Sequence, residues 1–121
     1  MEEKKTLVVG ASENISRYSN KAIRKLRYFG QPVVALGLRK GVVEDVEIQT
    51  GQPTLENIHT ITLYLNNKNQ EPLIDYFLGL KPKRIIFNPG AENPVLKEKA
   101  EKQGIETEEA CTLVMLTIGA F

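Results

Sequence analysis

Short apolar runs alternate with stretches of helical period along this chain, and that alternation constrains its fold most strongly. The apolar runs predict five strands, which cover residues 6–9, 32–36, 60–65, 83–87 and 105–107. Apolar residues at spacings of three and four predict helices between the strands, over residues 18–29, 70–80, 93–103 and 110–118. The alternation predicts an α/β, Rossmann-like three-layer domain, with a mostly parallel five-stranded sheet flanked by helices.

The first predicted helix carries an apolar stripe on one side and cations on the other. The stripe consists of Tyr18, Ala22, Ile23, Leu26 and Phe29. Ser16 or Ser19 is the expected cap at the start of this helix, and Gly30 is its expected stop. Residues 42–57 carry weaker signals, and only residues 45–48 alternate like a short edge segment.

The length and the counts of cysteine and histidine exclude several classes of site. One domain, residues 1–121, fits a chain of this length. With Cys111 the sole cysteine and His59 the sole histidine, an intramolecular disulfide and a structural zinc site are excluded. Cys111 lies among apolar residues, which predicts a buried, inert thiol, and His59 is expected at the surface or in a cap. We expect neither catalytic residues nor a metal site, and a binding module rather than an enzyme.

The net charge of +1 conceals an uneven distribution of charge. Residues 1–40 contain nine Lys or Arg and three Glu, whereas residues 41–121 contain seven basic and twelve acidic residues. The amino-terminal third therefore suits an anionic ligand, although a solvated basic helix face has the same composition.

Membranes and nucleic acids are not expected partners. No apolar run approaches the roughly 20 residues that span a bilayer, and the apolar run after the charged start is too short for a signal peptide. We therefore expect a cytoplasmic protein. Tyr18, Tyr64 and Tyr76 are assigned to the core or the sheet, so no stripe of exposed aromatic residues interleaves with the basic residues.

The turn after the first strand is the first candidate binding segment. A glycine permits a sharp turn, and the helix start that follows offers free N–H groups to a phosphate. Arginine adds a permanent positive charge, and serine hydroxyls add donors. The candidate residues are Gly10, Ala11, Ser12, Arg17, Tyr18 and Ser19. The alternative is an ordinary strand–helix turn capped by serine.

The turn after the second strand is the second candidate. In NAD sites an acidic residue at this place holds the ribose hydroxyls. This turn contains no acid and presents Gly37, Arg39 and Lys40 instead. That argues against NAD and favours an adenosine with an extra ribose phosphate, either NADP with its 2′-phosphate or coenzyme A with its 3′-phosphate. The alternative is a solvated turn.

The turn after the fourth predicted strand is the third candidate. Asn88, Pro89 and Gly90 follow the apolar run directly. Proline fixes φ and glycine permits a positive φ, so this turn can present backbone N–H groups to a ligand. The alternative is a structural turn in which Asn93 caps the next helix.

Three motifs in order resemble the small stand-alone CoA-binding domain proteins, which are Rossmann-like and similar to the CoA-binding domain of succinyl-CoA synthetase α-subunits. The motifs are Gly10-Ala11-Ser12 with Arg17 and Ser19, then Asn88-Pro89-Gly90-Ala91-Glu92-Asn93, then Ala110-Cys111-Thr112-Leu113-Val114-Met115. The resemblance covers essentially the whole chain.

The resemblance implies a parallel sheet that binds coenzyme A or an acyl-CoA across the carboxyl ends of its strands. It implies that the first turn holds the pyrophosphate, that Arg17 and Ser19 contact phosphate, and that Asn88-Pro89-Gly90 lies near the pantetheine arm. The chain departs from the family at Leu36-Gly37-Leu38, where members often have Asn-Pro. Assignment of the 3′-phosphate to Arg39 and Lys40 therefore rests on their charge.

Two other functions remain open from the sequence. An NADP-dependent oxidoreductase would share the fold and the basic turn, but it would need a second glycine in the first turn. A nucleotide-sensing regulatory domain that binds a protein partner would use the same site as a sensor.

Overall fold

The computed structural model describes residues 2–121 and is built on one seven-stranded sheet. The strands are β1 (Thr6–Ala11), β2 (Val33–Gly37), β3 (Gly41–Val43), β4 (Val46–Gln49), β5 (Thr60–Leu63), β6 (Arg84–Phe87) and β7 (Glu106–Glu109). Their order is β3-β4-β2-β1-β5-β6-β7. Every neighbouring pair is parallel except β3 and β4. The predicted α/β, Rossmann-like class is confirmed, with seven strands rather than five.

The two additional strands form the hairpin β3–β4 at one edge of the sheet. The predicted edge segment at residues 45–48 corresponds to β4, which buries Val46 and Ile48 and exposes Glu47. β3 has only three residues, too few for alternation to be recognised in the sequence. Glu44 turns the chain between the two strands with a φ of 56°, a left-handed conformation that glycine more often adopts.

Helices cover both faces of the sheet. They are α1 (Tyr18–Tyr28), α2 (Asn67–Gln70), α3 (Ile74–Gly79), α4 (Pro94–Lys102) and α5 (Thr112–Thr117), with a 3₁₀ turn at Glu71–Leu73. Apolar residues of α1 and α5 pack with those of β1, β2 and β6 on one face. Apolar residues of α3 and α4 pack against the other face. The three layers follow from these two cores.

Some predicted helix boundaries are confirmed and others are not. Gly30 and Gly104 end α1 and α4 in left-handed conformations, as predicted. The predicted helix over 70–80 is interrupted, because Pro72 lacks an N–H group and lies in the 3₁₀ turn. Within α4, Leu96 and Ala100 are buried, whereas Val95 is half exposed.

Two glycines allow β1 and β2 to meet closely at their carboxyl ends. Gly10 has a φ of 92° and forms a bulge, after which Ala11 pairs with Gly37. A Cβ on Gly37 would overlap the carbonyl oxygen of Ala11. Both glycines are therefore required by the backbone geometry.

The strand order reverses at β1, and this places the crevice in which such sheets bind ligands. From β1 the chain continues to β2 and the hairpin on one side, and later to β5 on the other side. The crevice lies outside the carboxyl ends of β1 and β5. No helix within residues 2–121 is long and apolar enough to cross a membrane.

Candidate functional site

The three candidate segments all follow carboxyl ends of parallel strands, so they lie along the same edge of the sheet. Residues 10–19 follow the bulge of β1, residues 37–41 end β2 and open β3, and residues 88–92 follow β6. This common edge is called the carboxyl edge below. The order of strands places the first segment between the other two.

The loop between β1 and α1 is held by its own polar groups. The backbone N–H of Asn14 donates to Ser12 Oγ at 3.1 Å. The Oδ1 of Asn14 accepts from the N–H of Ser16 at 3.0 Å and from its hydroxyl at 2.7 Å. These bonds fix the path of the chain ahead of α1 and use the acceptors of Ser12 and Asn14 inside the loop.

The start of α1 carries no side-chain cap. Arg17 occupies the cap position with an extended backbone. Its guanidinium only donates hydrogen bonds, so it cannot cap the N–H groups of the first turn. The prediction that Ser16 or Ser19 caps this helix is therefore wrong. Ser16 bonds to Asn14 instead, and Ser19 is buried in the first turn. A helix start without a cap leaves N–H groups and the positive end of the helix dipole for an anion.

Tyr18 lies outside the core, contrary to its assignment to the apolar stripe. Its side chain is 67% exposed, and Lys21 Nζ lies 5.2 Å from the centroid of its ring. As the first residue of α1, Tyr18 extends beyond the sheet that covers the later turns. It stands next to Arg17, which is also exposed.

Asn20 anchors this loop, and the sequence analysis missed it. It is buried, and its Nδ2 donates to the carbonyl oxygen of Ser12 at 2.9 Å. Its Oδ1 accepts from Arg24 Nε at 2.8 Å. A polar residue on the buried side of α1 was the signal that could have identified it.

The turn between β2 and β3 exposes its cations. Leu38 is 94% exposed, and Arg39 and Lys40 are exposed beside it. Neither cation forms an ion pair within residues 2–121. Both charges are therefore free to meet an anionic ligand.

A carboxylate that the sequence analysis missed reaches this turn from the neighbouring loop. Glu13 Oε2 accepts a hydrogen bond from the N–H of Val42 at 2.9 Å. Gly41 provides the room, because a Cβ there would lie 2.5 Å from Glu13 Cδ. The turn itself contains no acid, as read from the sequence, but the fold brings one to it. A glycine next to a strand start was the only sequence signal for this approach.

Asn88 connects three elements through its buried amide. It is 1% exposed. Its Nδ2 donates to Thr62 Oγ1 at 2.7 Å and to the carbonyl oxygen of Leu63 at 2.9 Å. Its Oδ1 accepts from the N–H of Thr112 at 2.8 Å. The amide therefore ties the ends of β5 and β6 to the start of α5, and its hydrogen-bonding capacity is used inside the protein.

The rest of this turn uses its backbone N–H groups internally, since Gly90 donates to Glu92 Oε1 at 2.9 Å and Ala91 donates to the carbonyl oxygen of Asn88 at 2.8 Å. The buried Gln70 donates to the carbonyl oxygens of Leu65 and Ala91 at 2.8 Å and 2.7 Å, and its Oε1 accepts from Asn93 Nδ2 at 2.9 Å. Asn93 caps α4 by accepting from the N–H of Leu96 at 3.1 Å, as the structural alternative for this turn expected. The adjoining Pro89 and Gly90 are exposed at the edge.

Cys111 and His59 lie at opposite edges of the sheet. Cys111 is half-buried rather than buried as predicted, and it precedes α5 at the carboxyl edge. Tyr64 lies close to this thiol, and burial raises the pKa of its hydroxyl. The hydroxyl has no hydrogen-bond partner within residues 2–121. His59 precedes β5 at the amino ends of the strands, where its Nδ1 lies 2.7 Å from Thr60 Oγ1. No histidine is therefore near the thiol.

Exposed cations and a helix start lie along the carboxyl edge. Arg17, Arg39 and Lys40 are exposed cations, and the first turn of α1 adds N–H groups. Residues 2–121 contain no cluster of three or more potential metal ligands. The arrangement suits a ligand with several phosphates spread along the edge.

Comparisons with known proteins show what the chain as a whole is similar to. The family model described as CoA binding domain matches residues 4–117. No curated protein matches the chain.

Solved structures resemble the chain over most of its length. A crystal structure of an uncharacterized protein has a TM-score of 0.97 at 43% identity, with 100% of both chains covered. A Thermus thermophilus protein, cell-free ID.343, has a TM-score of 0.85 at 19% identity, covering 98% of this chain and 91% of its own. A hypothetical protein from Pyrococcus horikoshii has a TM-score of 0.79 at 19% identity, covering 93% and 80%. The last two show similarity of fold alone.

Proposed function

This chain belongs to the CoA binding domain family, and from that premise we propose that it binds coenzyme A or an acyl-CoA through the 3′-phospho-ADP moiety at the carboxyl edge. The observation that carries the proposal is the uncapped start of α1, with Arg17 at its cap position directly after the glycine turn of β1. This geometry offers a pyrophosphate both donors and positive charge.

The pyrophosphate would lie over the segment from Gly10 to Ser19. Gly10 lets the backbone turn sharply with its φ of 92°, and Ala11 and Ser12 lead the chain across the edge. Arg17 and the first N–H groups of α1, at Tyr18 and Ser19, would contact the phosphates. The hydrogen bonds of Asn14 and Asn20 hold this segment in place before any ligand arrives.

The 3′-phosphate would lie at the turn after β2. Gly37 permits close packing of the two strand ends, and Arg39 and Lys40 are free of ion pairs. Two unpaired cations beside an adenosine site favour a ribose that carries a phosphate over one that does not.

The pantetheine arm would run past Asn88-Pro89-Gly90. The buried amide of Asn88 fixes the position of this turn, so its expected contribution to the ligand is to place the backbone of Pro89 and Gly90. The exposed Pro89 and Gly90 follow β6, which is the neighbour of β5 in the sheet.

Binding without catalysis is part of the proposal. His59 lies at the amino ends of the strands and cannot act at the carboxyl edge. A cytoplasmic location, and a small molecule rather than a nucleic acid as partner, complete it. A role as a sensor that passes ligand occupancy to a protein partner would use the same site.

The experiment is a calorimetric titration with coenzyme A, acetyl-CoA and NADPH, accompanied by thermal unfolding. A ligand present at 100 times its Kd stabilises a protein by about 2.7 kcal/mol, which raises the midpoint of a domain of this size by several degrees. We expect coenzyme A to bind and stabilise. Binding of NADPH alone would favour the oxidoreductase, and no heat with any of the three at millimolar concentration would contradict the proposal.

A further inference from the structure

The side chain of Glu13 makes its hydrogen bond outside its own loop. Glu13 belongs to the loop after β1, yet its Oε2 accepts from the N–H of Val42, which is in β3. In the sheet, β2 and β4 lie between β1 and β3. The loop after β1 therefore brings this carboxylate to the start of β3 in the outer hairpin.

The absence of a side chain at Gly41 leaves room for this contact. Gly41 opens β3, and a Cβ there would lie within 2.8 Å of Glu13 Oε2 and closer to its Cγ and Cδ. A side chain at position 41 would therefore displace the carboxylate. Gly41 also follows Arg39 and Lys40 directly, so the carboxylate stands next to the exposed cations of this turn.

One oxygen of this carboxylate remains open. Oε2 is occupied by Val42, whereas Oε1 has no hydrogen-bond partner within residues 2–121, and Glu13 is exposed. An ionised carboxylate only accepts hydrogen bonds. Oε1 therefore suits a hydroxyl group and opposes a second anion at the same place.

In sheets of this class, an acid at the end of the second strand accepts hydrogen bonds from ribose hydroxyls. Here no residue of the turn after β2 is acidic, and Glu13 supplies the carboxylate from the loop after β1. Glu13 therefore brings an acid to the segment that follows β2, although its carboxylate is anchored at β3 and not at the end of β2 itself.

We propose that Glu13 determines which ribose phosphate the site accepts: its Oε1 accepts from a free 2′-hydroxyl and repels a 2′-phosphate, so the site selects 3′-phosphorylated adenosine. This inference rests on the proposed function. Arg39 and Lys40 attract either phosphate, and Glu13 separates coenzyme A, whose phosphate is on O3′, from NADP, whose phosphate is on O2′.

Adenosine 3′,5′-bisphosphate and adenosine 2′,5′-bisphosphate test this directly, because they differ only in the position of one phosphate. Their Kd values are measured by calorimetry for the parent protein, for Glu13→Gln and for Glu44→Gln. Glutamine keeps an oxygen for the N–H of Val42 and removes the charge. Glu44 is an exposed acid in the turn of the β3–β4 hairpin and serves as the matched control.

We expect the parent protein and Glu44→Gln to bind the 3′,5′ isomer about 10- to 100-fold more tightly, the range of one hydrogen bond to a charged group. In Glu13→Gln the preference falls to about threefold or less, chiefly because the 2′,5′ isomer binds better once the negative charge is gone. The thermal midpoint of Glu13→Gln should equal that of the parent, which separates this role from simple anchoring of the loop.

Four results would overturn the inference. Equal binding of the two isomers by the parent, or an undiminished preference in Glu13→Gln, removes Glu13 as the discriminating group while binding of coenzyme A stands. Binding of coenzyme A without binding of either bisphosphate places the adenosine elsewhere and also overturns it. Failure of coenzyme A itself to bind overturns the proposed function, and the inference with it.

Discussion

Replacement of Asn88 by alanine should destabilise the protein strongly, because its amide makes three buried hydrogen bonds to Thr62, Leu63 and Thr112. Each such bond contributes about 0.5–1.5 kcal/mol net, and a buried group left without a partner costs about 1–3 kcal/mol. Alanine leaves the N–H of Thr112 and the carbonyl oxygen of Leu63 without these partners. The expected loss in the free energy of unfolding is about 2–4 kcal/mol.

A loss of this size lowers the thermal midpoint by roughly 10 °C in a domain of this length. Urea unfolding followed by circular dichroism measures the free energy directly. Asn67→Ala is the matched control, because Asn67 is exposed at the start of α2, and it should change stability by less than about 0.5 kcal/mol. A loss below about 1 kcal/mol for Asn88→Ala would refute the assignment of its amide to the interior and leave the side chain free for a ligand.

Three further predictions concern the edge glycine, the phosphate arginine and the histidine. Gly37→Ala should cost about 1–3 kcal/mol in urea unfolding, since its Cβ would overlap the end of β1, whereas Gly79→Ala, with nothing within 4 Å of its Cβ, should be neutral or stabilising. Arg17→Ala should weaken coenzyme A binding by about 1.5–3 kcal/mol in calorimetry, and unchanged affinity, as expected for Lys99→Ala in α4, would remove Arg17 from the site. Burial, and then neighbouring cations, lower the pKa of His59 from its usual 6.5, so the folded state binds the proton less readily than the unfolded chain. The free energy of unfolding should therefore decrease as the pH falls below about 6.5, because the unfolded chain then binds the proton more readily. This decrease should be smaller in His59→Gln, and an equal decrease in the variant would contradict the prediction.

The sequence predicted those parts of the fold that depend on local pattern. The apolar runs of β1 and β6 were recognised because both faces of these strands are buried. The glycine stops at Gly30 and Gly104 and the cap at Asn93 follow from single residues. The interruption at Pro72 could have been read from the same kind of signal.

The parts that were missed depend on contacts between distant segments. Glu13 and Val42 are 29 residues apart in the sequence and meet only in the folded protein. Asn20 lies among the apolar residues of α1, and the carbonyl oxygen that it binds belongs to Ser12 in the loop before the helix. The exposure of Tyr18 depends on where the sheet ends, which periodicity does not report.

The central position of β1 has a consequence for how the protein acquires its site during synthesis. Residues 6–9 pair with residues 33–36 on one side and with residues 60–63 on the other. Parallel pairings between such distant segments form slowly, because the connecting chain must close before the contacts stabilise it. The loop that we assign to the pyrophosphate leaves the ribosome before β5, the strand that forms the other wall of the crevice. A nascent chain that ends before β5 therefore contains the loop assigned to the pyrophosphate but lacks the second wall of the crevice.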